Sequence, residues 1–174
     1  MKKLELSSLK WYNAAKIIAE LSKLDDALTE RTSITLCGSA SVLLQDVVFR
    51  ETMDIDFCTL PEPTVVKLVE TLWKGKHLFD FNAVGIIGLL DDYEDRLVEV
   101  PLGFKRLRVL CLSKRDWIVS KLASPKLDDV FSRVDVTLDD LLWVKENMCK
   151  YCGISDIRAN RELQMLIQDL EQRG

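Results

Sequence analysis

The chain has 174 residues, 48% of them hydrophobic, and a formal net charge of −4. That is enough apolar material for one core, without the roughly 18 consecutive apolar residues of a membrane span, and the acidic balance argues against wrapping a long duplex by bulk electrostatics. The opening MKKLELSSLK lacks the continuous apolar stretch of a signal peptide, so a cytoplasmic protein is expected.

In chain order, Trp11, Ala14, Ala15, Ile18, Leu21 and Leu24 recur at spacings of three and four and predict an amphipathic helix over residues 9–28. Residues 33–37 (SITLC) form a β-rich run stopped by Gly38, after which Ser39 is placed to cap a brief helix through Leu44. Residues 50–59 (RETMDIDFCT) alternate, with Asp54, Asp56 and Cys58 on one face and Met53, Ile55 and Phe57 on the other, the period of a strand. Pro61 and Pro63 end that strand, and Val65, Val66, Leu68, Val69, Leu72 and Trp73 give helical spacing over 64–74.

Between residues 78 and 112 further strands are expected around Phe79, Ile86, Val98 and Val109. Ser113 with Asp116, and Thr137 with Asp140, are capping-box-like starts for two helices, and a last helix is expected over about 155–170. Without repeats or Gly/Ser linkers, the layout is a single α+β domain over 1–174. Its α/β core covers about 30–112 and a helical C-terminal part covers 113–174.

Charge is unevenly distributed. Residues 80–99 hold six acids against Arg96, and residues 105–126 hold seven bases against Asp116. Besides two solvated faces, this pattern allows metal ligands near the first block and phosphate contacts on the second. Cys37, Cys58 and Cys111 sit in apolar runs and read as reduced core thiols. Cys149 and Cys152 form one C-x-x-C, but the sole histidine, His77, is distant, so a zinc or redox role lacks its other half.

Chemistry concentrates at Asp54 and Asp56. Carboxylates at i and i+2 on a strand point the same way with Cα atoms roughly 6.5–7 Å apart. Such a pair can share two divalent ions about 3.5–4 Å apart, the arrangement that activates an attacking hydroxyl and offsets charge on a leaving pyrophosphate. Gly38 and Ser39 stand at a strand-to-helix junction, where backbone N–H groups attract phosphate. On their own the aspartates also read as solvated acids on an edge strand, and Ser39 as an ordinary cap.

Taken together, Leu36-Cys37-Gly38-Ser39, a spacer and Asp54-Ile55-Asp56 resemble the signature of the polymerase-β-like nucleotidyltransferase superfamily. Arg50-x-Thr52-x-Asp54-Ile55-Asp56 looks like the R-x-T-x-D-x-D variant found in the branch with abortive-infection-type toxins and uncharacterised prokaryotic proteins. Downstream, residues 112–116, Lys121 and Asp128-Asp129-Val130 resemble that branch's C-terminal pattern.

The resemblance implies a nucleotidyltransferase-type mixed sheet flanked by helices. It implies Mg2+ or Mn2+ on Asp54 and Asp56, with a third carboxylate for which Glu99 is the first choice and Asp95 the competitor. It also implies nucleotide contacts from Gly38, Ser39, Arg50, Thr52, Lys121 and Asp129, although Arg50 can equally fix the loop bearing Asp54 by a salt bridge and Thr52 can cap or hydrogen-bond within the same turn. The expected activity moves a nucleoside monophosphate from a nucleoside triphosphate to a hydroxyl on RNA, protein or a small molecule. The alternative is a non-catalytic binding module of the same fold, such as a toxin–antitoxin partner protein.

Overall fold

The computed structural model describes residues 11–47, 51–81, 88–122, 136–151 and 157–173. The first helix, α1 (Ala14–Ala27), is capped by Asn13, whose side chain accepts from the Lys16 N–H at 3.0 Å. It buries Ile17, Leu21 and Leu24, whereas Trp11 precedes the helix and is half exposed. The strand β1 (Thr32–Leu36) leads directly into α2 (Gly38–Leu43). Cys37 occupies the cap position of α2 and Ser39 lies inside its first turn, so the serine does not cap the helix from outside.

The expected long strand over 50–59 is reduced to β2 (Ile55–Asp56), which pairs in parallel with β3 (Phe79–Asp80). Between them α3 (Pro63–Leu72) starts with a proline in its first turn, where the missing N–H costs nothing. The acidic run becomes a 3-10 turn at Tyr93–Arg96, followed by β4 (Val98–Glu99) and β5 (Leu107–Cys111). The strand expected around Ile86 falls outside the described residues.

The strand β5 lies parallel to β1 and antiparallel to β4. An antiparallel bridge between Leu36 and Phe57 joins this trio to β2, fixed by Cys37 N–H to the Asp56 carbonyl at 2.9 Å and Cys58 N–H to the Thr35 carbonyl at 2.8 Å. The strands therefore run in the order β3, β2, β1, β5, β4 across one mixed surface, an α+β arrangement.

The helices α1 and α3 cover one side of this surface, burying Ile17, Leu21, Leu24, Val65, Val69 and Trp73 against Ile34, Leu36, Ile55 and Phe57. Trp73 closes the contact by donating its indole N–H to Glu20 at 2.7 Å. At the entry to β5, the buried Asp25 accepts N–H bonds from Lys105, Arg106 and Leu107 at 3.0, 2.6 and 2.7 Å. Burial alone would raise that carboxyl, but the three donors outweigh it and hold it below the usual range.

The C-terminal helices are α4 (Lys114–Leu122), α5 (Leu138–Tyr151) and α6 (Ile157–Arg173). They build a second core around Trp117, Ile118, Leu122, Leu141, Val144 and Leu163, to which α2 contributes Val42. Both sequence-level capping devices are present. The Asp116 N–H donates to the Ser113 hydroxyl, and Thr137 and Asp140 bond reciprocally. No helix among the described residues is long and apolar enough to cross a membrane.

Candidate active site

The candidate site grows from the turn between β1 and α2. Gly38 has φ +60°, a left-handed conformation that glycine adopts without a Cβ penalty. Its second requirement is proximity: a Cβ built on Gly38 would lie 2.0 Å from Oδ2 of Asp56. The Asp56 carboxylate thus rests against bare backbone at the start of α2.

Along β2 and the residue on either side of it, the apolar side chains Ile55 and Phe57 are fully buried, while Asp54 and Asp56 are only partly so. Phe57 stacks on Phe79 and Phe81, with ring centroids at 5.6 and 4.9 Å, which gives the acidic strand a firm aromatic footing. Asp80 is the register partner of Asp56 on β3, and paired residues on neighbouring strands project to the same face. Burial first, then the charges of Asp54 and Asp80, push the Asp56 carboxyl up to about 7, against the opposing pull of Lys121. Three carboxylates and one ammonium therefore share one electrostatic neighbourhood. The Lys121 ammonium also lies over the Trp117 ring, 5.7 Å from its centroid.

Thr52 is almost completely buried. Its hydroxyl is shared between the Asp54 backbone carbonyl at 3.3 Å and the Asp54 carboxylate at 3.2 Å. Below the acids lie Cys37 and Cys58, in a small cluster with Leu112, Tyr93 and Leu97. Donation of the Cys37 S–H to the Cys58 sulfur, together with burial, raises the Cys37 thiol well above its usual range, so it stays protonated.

Glu99, the sequence-level choice for the third carboxylate, is not brought to this cluster. It lies on β4 at the far edge of the sheet, exposed and bound to the Arg108 guanidinium at 2.7 and 2.8 Å. The competing Asp95 is exposed in the 3-10 turn. The acid whose charge reaches Asp56, besides Asp54, is Asp80. The local signal for it was a single acid between Phe79 and Phe81, but its partnership with Asp56 depends on strand pairing.

Much of the two charged blocks is engaged elsewhere. Arg96 bonds Asp92 and Asp116, Lys114 bonds Asp140, and Arg115 bonds Asp139 and Asp140. Asp80 from the acidic block and Lys121 from the basic block reach Asp56 electrostatically. Arg50 and Asp129 lie outside the described residues, as do Cys152 and the side chain of Cys149.

Oxygen-only donors that repel one another are the set a hard divalent cation such as Mg2+ or Mn2+ takes. Asp54, Asp56 and Asp80 fit such an ion in donor type and charge. Among the described residues, though, no three acidic, histidine or cysteine side chains are already closed around one metal position.

The raised Asp56 carboxyl has a measurable sign. An unfolded aspartate loses its proton near about 3.9, so between roughly pH 4 and 7 the folded chain holds a proton that the unfolded chain has released. The stabilisation from Asp56 is full below that window and is lost as pH rises through it. In chelator, the wild-type urea midpoint is expected to fall more between pH 5 and pH 8 than that of Asp56→Asn. Parallel profiles for the two proteins would contradict this.

A family model described as a nucleotidyltransferase of unknown function (DUF6036) matches residues 13–146. That span runs from the cap of α1 into α5 and includes every strand among the described residues and all four side chains of the charged cluster. Comparison with the curated proteins and with the solved structures gives no match.

Proposed function

The chain belongs to this nucleotidyltransferase family, and on that premise we propose that it is a metal-dependent enzyme moving a nucleoside monophosphate from a nucleoside triphosphate to a hydroxyl acceptor. The observation that carries the proposal is the Asp56 carboxylate, set against Gly38 and in the field of Asp54, Asp80 and Lys121. In the reaction the acceptor oxygen bonds to the α-phosphorus, the bond to pyrophosphate breaks, and the hydroxyl proton is released.

Asp54, Asp56 and Asp80 are the residues that would hold Mg2+ or Mn2+. When bound, the cation offsets charge on the phosphates and lowers the pKa of the attacking hydroxyl. Gly38 leaves the backbone at the start of α2 open to close approach, with Ser39 beside it. Lys121 supplies a mobile point charge for the phosphates from the last turn of α4. The R-x-T-x-D-x-D pattern supports a place in the branch that includes abortive-infection-type toxins. Acceptors to try are therefore RNA, protein and small-molecule hydroxyls, and a cognate toxin or antitoxin is a partner to seek.

Thermal unfolding with each of the four ribonucleoside triphosphates plus Mg2+ or Mn2+ tests the reading before any acceptor is known. Ligand at a hundred times its Kd adds about 2.7 kcal/mol, which for a chain of this size raises the midpoint by about 5–10 °C. Wild type is expected to show that rise with at least one nucleotide, and Asp54→Ala is expected to show none. Equal shifts in both proteins, or none in wild type, would sink the proposal and favour a non-catalytic binding module.

A further inference from the structure

Thr52 sits where a nucleotide contact was expected, yet the structure turns it inward. It is 5% exposed, and its hydroxyl faces Asp54 rather than solvent. Its backbone is fixed as well. Thr52 pairs with Tyr12 in an antiparallel bridge, with Tyr12 N–H to the Thr52 carbonyl at 2.7 Å and Thr52 N–H to the Tyr12 carbonyl at 2.9 Å. Tyr12 in turn lies immediately before Asn13, the cap of α1, and packs partly buried on the main core.

Asp54 lies just before β2, outside the strand ladder that orients Asp56. A carboxylate on a bend has rotamers to choose among, and holding it in one of them needs a donor that is itself immobile. The Thr52 hydroxyl is such a donor, because its main chain is bonded on both sides to the segment that opens α1.

We propose that Thr52 is a positioning residue: its hydroxyl, anchored through the Tyr12 bridge, aims the Asp54 carboxylate for cation binding and makes no contact with nucleotide. This rests on the metal-dependent reading above and adds to it the device that holds one ligand in place.

Calorimetric titration of the full chain with Mn2+ alone, on wild type, Asp54→Ala, Thr52→Val and Thr52→Ser, tests it. Valine keeps the shape and removes the donor, whereas serine keeps the donor and removes a methyl group. Thr52→Val is expected to weaken Mn2+ binding by about tenfold, in the range found for partners that orient metal ligands. Thr52→Ser is expected to stay within about twofold of wild type by the same argument. A purely structural threonine would lower the thermal midpoint in both variants and leave Mn2+ affinity unchanged. Wild-type affinity in Thr52→Val, with binding lost in Asp54→Ala, overturns the positioning role alone. Equal Mn2+ binding by wild type and Asp54→Ala, or none by wild type, overturns the metal-site reading and this inference with it.

Discussion

Gly38→Ala is expected to abolish metal-dependent nucleotide binding while leaving most of the fold standing. Its new Cβ would lie 2.0 Å from Oδ2, 3.0 Å from Cγ and 3.4 Å from Cβ of Asp56, and the backbone would keep a φ of +60°. The left-handed conformation costs a non-glycine residue about 1–2 kcal/mol. The clash adds to that, and the turn has little room to yield. Cys37 N–H is bonded to the Asp56 carbonyl, and the Ser41 hydroxyl is bonded to the Gly38 carbonyl at 2.9 Å. The Asp56 side chain must therefore swing away from the cluster.

Residues that merely orient metal ligands are worth about 10–100-fold in metal affinity, so moving a ligating carboxylate away should lower nucleotide affinity in Mg2+ by about a hundredfold. The midpoint of unfolding should drop by only about 2–8 °C. Titration calorimetry beside a melting curve measures both. A variant that melts early but binds as wild type does would show that the close approach of Gly38 to Asp56 serves the fold alone.

Asp116→Ala is expected to be the most damaging single change to stability. Asp116 is fully buried, accepts two bonds from Arg96 at 3.0 and 2.7 Å, and accepts a third from the Ser113 hydroxyl. Arg96 also reaches Asp92 and lies over the Trp143 ring, 5.1 Å from its centroid, so this one guanidinium ties the 3-10 turn to α4 and α5. Removing one partner of a buried ion pair typically costs about 3–5 kcal/mol, because the remaining charge loses its compensation. That corresponds to a midpoint lowered by about 6–20 °C. Urea unfolding gives the number directly, and a loss below about 1 kcal/mol would contradict a pair of this kind. Asp116→Asn keeps one of the two acceptor oxygens and turns the other into a donor, so it should fall between the alanine variant and wild type.

What could be read in the sequence follows the range of the physics involved. Local devices were legible: the proline opening α3, the Ser113/Asp116 and Thr137/Asp140 starts, and the glycine turn after β1 each depend on a few neighbouring residues. Asp54 and Asp56 could be singled out because two carboxylates at alternate strand positions form a local pattern.

The third acid was not legible in the same way. Val98-Glu99 alternates much as Ile55-Asp56 does, but sheet order puts Glu99 at the outer edge with Arg108 and puts Asp80 beside Asp56. Nothing within ten residues of either acid encodes that order, since it follows from which strands pair. Trp11 and Ser39 were misread for a smaller reason. A helix begins where its cap side chain or turn allows, and here the starts are set by Asn13 and by the glycine after Cys37.

Trp117 carries a last consequence. Its indole is fully buried with no hydrogen-bond partner for its N–H among the described residues, and the Lys121 ammonium, whose charge reaches Asp56, lies above its ring. An anion that draws this lysine toward itself removes a positive charge from the face of the chromophore, so emission from the C-terminal core becomes an optical gauge of occupancy on the sheet's acidic side.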